Sequence, residues 1–472
     1  MDLRVAVGEG DVEALLRACD ERNEEEVARL LQEHVYAEDA LRLAMQKACT
    51  QNNTQCLRSL LRHEPRLLLN RAVHDDVATV SPLELCVDNQ AVACARILVE
   101  AGAANTHEAE DVLPTACYRG GTDIVDQLLS AGVNIDAVAR QGACEGWTAL
   151  HCAVNANNSD LTRTLLTHGA DVNCTLDVPG WAGDGGSHRA RTALARLGVQ
   201  MDTIGSKRHM TPLHLAVCNR NAAMSKLLLQ SGADVNARDS VGRTPLYLCC
   251  VQGQHPSIRE IIDTLLQHGA DLHLKANNQS VLDMKGKWKR TVNAFYAATN
   301  RLAKAVMKGD LWRAEKLLKT DPRQGSYAFH HVCTHGTLEA VRWFADKAIN
   351  VNITVKGKTA LHAAIAAHDL AKVQWLLTDM SADASLLVSQ AKLSSRPQMD
   401  ALALAIAQKQ EAIAHTLLDH GAAISFEPQP KHADALFRAC RAGLGSLAWR
   451  LLQLGAPIPD DDAIGSLLAS CA

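Results

Sequence analysis

The stretch Thr211–Asn221 reads TPLHLAVCNRN, and 33 residues later Thr244–Gln254 reads TPLYLCCVQGQ. A catalytic motif has no need to be written twice. A unit that buries its apolar face only against a copy of itself must be. Self-similarity at this period points to a stacked array. The pair of small or β-branched apolar residues at its centre recurs along the whole chain. It occurs at Ala18-Cys19, Ala48-Cys49, Cys86-Val87, Ala116-Cys117, Ala153-Val154, Ala216-Val217, Cys249-Cys250, Ala305-Val306, Val332-Cys333, Ala364-Ile365, Ala405-Ile406 and Ala439-Cys440. After each pair come a short polar turn and an amphipathic run such as DIVDQLLSAG or EAIAHTLLDHG.

Each copy reads as two short helices. Thr211 is placed to cap the first helix and Pro212 to occupy its first position, where no amide hydrogen is needed. Leu213, Ala216 and Val217 fall on one face at helical spacing. Asn219–Asn221 supply turn chemistry. Gly232 closes the second helix in a left-handed conformation, and ADVNARDSVGR leads on to the next threonine. Neither helix is long enough to stand alone, so the next pair must cover its apolar face.

The phrases GWTALHCAV…LLTHGADVN (146–173) and MTPLHLAV…LLLQSGADVNARDSVGRTPLYLCC (210–250), with a weaker echo in GKTALHAAIAAHDLAKVQWLL (357–377), resemble the ankyrin-repeat family. The resemblance implies an all-α, ankyrin-type solenoid of stacked helix-turn-helix repeats with hairpin-like connecting loops, about 11 or 12 helix pairs long. Repeats before residue 110 and after 400 lack the Thr-Pro-Leu-His phrase. The expected organisation is an N-terminal stack over 1–277 with a loop insertion at 175–209, a basic junction or degenerate repeat at 278–300, and a C-terminal stack over 301–472. An aromatic content of 4% suits this, since thin layers of closely packed helices draw on Leu, Ala, Val and Ile.

Fifteen cysteines and 20 histidines invite a thiol or metal reading. The register opposes it, because eight of the cysteines fill the small-residue slot, where cysteine behaves as a small hydrophobe. With no CxxC pair, the cysteines are expected to be free thiols in a reducing compartment. The resemblance implies that His151, His214 and His362, in the Thr-x-Leu-His position, join hydrogen bonds that brace a turn to its neighbour. His168, His268 and His420 precede the glycine that ends a second helix, a favourable place for a partly positive ring. His330, His331 and His335 form the one local group worth testing for metal, and their offsets match no zinc pattern. GxSxG, phosphate-loop and kinase signatures are missing, and GDGGS at 183–187 lacks the Lys-Ser/Thr a phosphate loop needs. No enzyme activity, cofactor or metal is expected.

Function is then expected on the turns, which project from the stacked helices. By resemblance, partner-facing positions are the ends of first helices and the hairpin tips. The helix-end pairs are Asp88 and Asn89, Tyr118 and Arg119, Asn155 and Ala156, Cys218 and Asn219, Val251 and Gln252, and Thr334 and His335. The hairpin between the best-matched repeats offers Arg238, Ser240, Val241 and Arg243. Tyr118 with Arg119 is the favoured anchor, as Tyr and Arg dominate binding hot spots. The insertion at 175–209, with flexible glycines, Trp181, and Arg189 and Arg191 on RARTALARLG (189–198), reads either as a finger that docks on a partner or as a tolerated loop.

The expected function is a non-catalytic protein–protein interaction scaffold or adaptor with a concave recognition surface and an inserted loop. The partners are one or more proteins of unknown identity, and the chain itself is expected to be monomeric. Two alternatives stay open: a substrate-recognition subunit of a larger enzyme complex such as a ubiquitin ligase, and a polyanion or nucleic-acid binder using the basic 285–319 stretch. Nucleic acid is the less favoured partner, because the net charge is only −4 and a basic run is most often a solvated helix face. The N-terminus reads as no signal peptide and no window is long enough to span a membrane. An intracellular, cytoplasmic location follows as the expectation, with the nucleus left open.

Overall fold

The computed structural model describes residues 5–6, 9–64, 81–103, 107–140, 144, 146–176, 209–252, 255–276, 279–284, 287–385, 400–424 and 435–456. Residues 177–208 of the expected insertion, RARTALARLG (189–198) included, lie outside them.

Among the described residues the helices fall into twelve consecutive pairs. Six belong to a compact unit over Met1–Val241: α1 (Glu9–Asp20) with α2 (Glu24–Glu33), α3 (Glu38–Thr50) with α4 (Thr54–His63), α5 (Pro82–Asp88) with α6 (Val92–Glu100), α7 (His107–Arg119) with α8 (Thr122–Ser130), α9 (Ala149–Asn155) with α10 (Ser159–Thr167), and α11 (Pro212–Cys218) with α12 (Ala222–Gln230). Six belong to a second unit over Gly242–Ala472: α13 (Pro245–Val251) with α14 (Pro256–Gln267), α15 (Lys287–Met307) with α16 (Leu311–Thr320), α17 (Gln324–His335) with α18 (Leu338–Arg342), α19 (Ala360–Ala366) with α20 (Leu370–Thr378), α21 (Ala401–Ala407) with α22 (Glu411–Asp419), and α23 (Ala435–Ala442) with α24 (Gly445–Gln453). The stretch 278–300, which the sequence suggests is a degenerate junction, carries strand β4 (Gln279–Ser280) and most of α15. The other described strands are the short β1 (Val5–Ala6) and β2 (His34–Val35), which pair in parallel, and β3 (Lys275–Ala276), which pairs antiparallel to β4 (Gln279–Ser280).

All twelve small-residue pairs lie on the first helix of their helix pair. Each member is buried except Cys250, which is half-buried. In the first unit α1, α3, α5, α7, α9 and α11 pack each on the next, and in the second α15, α17, α19, α21 and α23 do the same. Small residues let these helices approach closely, and that is why the slot excludes bulk.

The slot has a second role. In ten of the twelve pairs the carbonyl of its first residue accepts the amide five residues on, as in Asn53 N–H to Ala48 O (2.8 Å), Asn158 to Ala153 (3.0 Å) and Asn221 to Ala216 (3.0 Å). This is the terminal bond of a Schellman turn, and the residue before the donor must be left-handed. Asn52, Asn157 and Arg220 take φ of 52°, 57° and 56°, and Gly120 takes 78° at the same place. The donor then caps the next helix: the side chains of Asn53, Asn158 and Asn221 accept from the amides of Cys56, Leu161 and Met224. One turn thus ends a helix and starts its partner within a few residues.

The linkers between pairs hold one another through carboxylate and amide side chains. Asp136 accepts the amide of Asp171 (2.9 Å), Asp171 accepts the amide of Asn173 (2.8 Å), and Asn173 accepts the amide of Asp234 (2.7 Å). The last bond crosses the insertion. The base of the insertion is also closed, by Leu176 N–H to Met210 O and His209 N–H to Leu176 O, both 2.9 Å. Leu176 and Met210 are buried, so the stack of the first unit continues past the inserted chain.

Among the described residues the connection between α16 and α17 is the shortest between successive pairs. Three residues, Asp321–Arg323, separate α16 from α17, and no hairpin is made there. Arg323 holds this link through Asp321 (2.8 Å) and through Asp263 on α14. The loops on either side close over the gap. Tyr327 O–H donates to Ala270 O (2.6 Å), Gly357 N–H donates to Asp271 (2.8 Å), and Ile353 packs where a Cβ on Gly269 would stand.

Candidate interaction surface

The conserved geometry of each best-matched repeat begins with its Thr and His. The Thr148 hydroxyl lies 2.9 Å from His151 Nδ1, and His151 Nε2 lies 3.1 Å from Met210 O, the residue just before the next repeat's Thr211. A carbonyl only accepts, so Nε2 carries the proton and Nδ1 accepts from the threonine. Thr211 and His214 form a capping box in which the Thr211 amide donates to Nδ1 (3.2 Å), and Thr359 with His362 repeats the hydroxyl contact at 2.7 Å. Burial pushes His151 down to about 4, so the ring is neutral. The brace implied by the resemblance is therefore present at His151.

The same brace occurs where the sequence carries no Thr-x-Leu-His. His330 Nε2 donates to Lys358 O (2.8 Å), the residue before Thr359, and burial again pushes the ring down to about 4. His330 stands two residues before the Val332-Cys333 pair, as His151 stands two before Ala153-Val154. That offset was the available signal. His330 thus does not face its neighbours as a metal ligand. The His331 and His335 rings lie 4.9 Å apart, and among the described residues no group of three or more His, Cys, Asp or Glu is arranged to hold a metal ion.

The helix-end positions are where the register puts them. Tyr118 is half-buried and Arg119 exposed, and Arg119 pairs with Asp88 on the preceding first-helix end at 3.1 Å. Asn155 accepts from the Asn219 amide (3.3 Å), and Asn157 from Asn221. Cys218 is half-buried, Gln252 likewise, and Val251 is exposed. Arg238 and Val241 are half-buried and Ser240 is exposed at the end of the first unit, while Arg243 is half-buried at the start of the second. Trp181, Arg189 and Arg191 lie outside the described residues. Neighbouring helix ends are thus joined in pairs, Asp88 to Arg119 and Asn155 to Asn219.

The other groups singled out by the sequence have structural work. His168 and His420 donate Nδ1–H to Thr164 O and Thr416 O, both 2.9 Å, and so cap the last turns of their helices. Burial raises the thiols of Cys117, Cys250 and Cys333, as expected for inert packing residues. The described cysteines are free. Lys304, Lys308, Arg313, Lys316 and Lys319 are exposed on α15, its following turn and α16, with Lys316 over the Trp312 ring and Lys319 beside Glu315. Sequence reasoning passed over Trp312 and Trp449, both exposed on second helices.

Stacked helix pairs, braced through Thr–His units and presenting polar helix ends, define a protein built from repeats. The model of ankyrin repeats matches in three copies, at residues 104–175, 184–276 and 302–387. The chain belongs to the ankyrin-repeat family. It is 29% identical over 223 residues to Rabankyrin-5 of Homo sapiens, covering 47% of this chain and 16% of that protein. It is 34% identical over 152 residues to Ankyrin repeat and SOCS box protein 11 of Danio rerio, covering 32% and 39%. The chain spans less than half the length of these curated relatives. A solved structure of the ankyrin repeat domain of Bcl-3 aligns with 52% of this chain and 94% of its own, at 24% identity and a TM-score of 0.37. Ankyrin repeats indicate a role in protein–protein interaction. Among the described residues no helix is long and apolar enough to cross a membrane.

Proposed function

We propose that the chain is a non-catalytic scaffold or adaptor that recognises protein partners through first-helix ends and hairpins, with the 175–209 insertion adding contacts. The observation that carries this reading is the closed base of the insertion. Leu176 and Met210 pin it, and Asn173 binds Asp234 across it, so the inserted chain is free to serve recognition while the repeats stay stacked. Arg119, Asn219 and Val251 supply exposed cationic, amide and apolar groups on the helix ends. The reading sets the protein inside the cell, where free thiols persist, and treats the chain as a monomer.

Affinity capture from cytosol tests it, with two baits: the intact chain, and a variant with 177–207 replaced by a short Gly-Ser link. A partner captured by the intact chain and lost with the variant assigns recognition to the insertion. A partner captured by both assigns it to the repeat surface. Capture of no stable partner by either bait contradicts the scaffold reading.

Similarity to Ankyrin repeat and SOCS box protein 11 favours a second, narrower reading, in which the partner is a substrate delivered to a larger enzyme complex such as a ubiquitin ligase. Co-purification of ligase core subunits with the intact chain is the result this reading requires.

A further inference from the structure

The missing hairpin between α16 and α17 leaves a cleft of about 430 Å³ inside the second unit. Its walls are the linker at 271–273, the first helices α15, α17 and α19, and the tight turn Val355–Lys358. Ala363, Ala366 and Ala367 give an apolar floor, and Tyr296 meets His273 edge-on at 5.3 Å. The volume is in the range of a small-ligand or side-chain pocket.

Most polar side chains of the lining can donate a hydrogen bond, and those of Thr299, Tyr327, His330 and Thr334 already do so to backbone carbonyls, which leaves the lysines and the remaining histidines for an anion. Among the described residues Asp271 is the only carboxylate that lines the cleft. It is 1% exposed and already accepts from the amides of His273 and Gly357, both at 2.8 Å. Lys356 and Lys358 form no ion pair among the described residues, and His331 Nδ1 is a buried atom without a partner. Lys304 adds positive field at His331 from α15. The turn itself is informative. Val355 and Lys358 pair as a two-residue hairpin whose central residues, Lys356 and Gly357, have φ of 58° and 69°. This is the conformation that asparagine-glycine favours. A lysine there is held in a left-handed conformation that side chains rarely adopt, and its charge stands at the rim of the cleft.

We propose that the cleft lined by His273, Tyr296, His331, His335, Lys356 and Lys358 is a docking pocket for a carboxylate side chain on an acidic segment of a protein partner. The aromatic rings and alanine floor receive the aliphatic stem, and the lysines and histidines receive the charge. This rests on the scaffold reading and adds to it the chemistry of one contact. The groups facing the entering anion are Asp271 and His273 from the linker, Tyr296 from α15, Tyr327, His330 and His335 beside His331 on α17, and Lys356 and Lys358 from the turn, while Lys304 and Asp283 act from outside the lining on the charge of His331 and His273. Helix α19 contributes only alanines to the lining. Burial holds His273 and His331 below the ordinary histidine range, and His335, Lys304 and Lys356 lower His331 further. An anion reverses that penalty, so docking takes up protons.

The test titrates the intact chain with a short blocked peptide of alternating glutamate and glycine, following the histidine ring resonances. A lysine-glycine peptide and a phosphoserine-glycine peptide serve as controls. The variant is Lys356→Asn with Lys358→Gln, in which the first change relieves the left-handed strain and keeps the turn folded. The expected result is saturable shifts of His273 and His331 with the glutamate peptide alone, tighter near pH 6 than near pH 8, and about tenfold weaker in the variant. Equal binding by wild type and variant, equal shifts with the lysine peptide, or binding confined to the phosphoserine peptide each overturns the proposal. A partner captured equally by wild type and by the double variant leaves the scaffold reading standing and removes this one.

Discussion

At the scale of single residues the decisive group is the neutral histidine that bridges two repeats. His151 accepts from Thr148 and donates to Met210 O, and His330 donates to Lys358 O, so each ties its own repeat to the turn that opens the next. His151→Ala removes the ring's bonds to the Thr148 hydroxyl and to Met210 O, leaves the latter only the Leu176 amide, and opens a gap in a buried site; urea melts are expected to show a loss of about 1–3 kcal/mol. Thr211→Ala breaks the capping box with His214 and is expected to cost about 0.5–2 kcal/mol in the same assay. Both His151 and His330 are held near 4 when folded, against 6.5 when free. The unfolded chain therefore binds more protons between those values. Stability is expected to be full above about pH 6.5 and to fall as pH drops toward 4, and a series of thermal melts across that window reads it. A flat profile would contradict the assignment of buried neutral rings.

At the scale of elements, each pair is set by a turn that serves two helices at once. The small-residue slot was legible because its burial demands Ala, Cys, Val or Ile in every copy. The left-handed residue of the turn was not, since Arg22, Gln90 and Lys409 occupy it as readily as Gly120 and carry no turn signal. The bracing role of His330 was hidden by its neighbours His331 and His335, which suggested a metal cluster. The missing hairpin left one trace, the 27-residue spacing from Ala305 to Val332, the shortest in the register. Its consequence, that the loops on either side meet across the gap, depends on contacts 86 residues apart such as Gly357 to Asp271, which no local pattern encodes. Gly269 marks that meeting. Its φ is +88°, and an added Cβ would sit 2.5 Å from Ile353 Cγ2. Gly269→Ala is expected to destabilise the chain by about 1–3 kcal/mol. Adding Ile353→Ala should recover the steric part of that loss, so the double mutant is less damaged than the two single effects summed. Strict additivity would show that the two residues do not touch in solution.

At the scale of the whole molecule, the twelve helix pairs among the described residues fall into two units, and each pair gains stability from its nearest neighbours. Because Asn173, Leu176 and Met210 close the stack beneath the insertion, replacing 177–207 with a short link is expected to leave the melting temperature within error. A drop of several degrees would mean that the inserted chain packs on the repeats. The recognition positions proposed within the insertion, Trp181, Arg189 and Arg191, lie outside the described residues. Those proposed for the helix ends follow from the register, which leaves Arg119, Asn219 and Val251 exposed. The most direct test of the scaffold account is hydrogen–deuterium exchange of the intact chain, free and bound to its captured partner. The account predicts new protection at the first-helix ends, around Tyr118–Arg119, Cys218–Asn219 and Val251–Gln252, and in the linking hairpins, with second helices such as Leu311–Thr320 and Gly445–Gln453 unchanged. Protection confined to those second helices, with the first-helix ends unaltered, would contradict it.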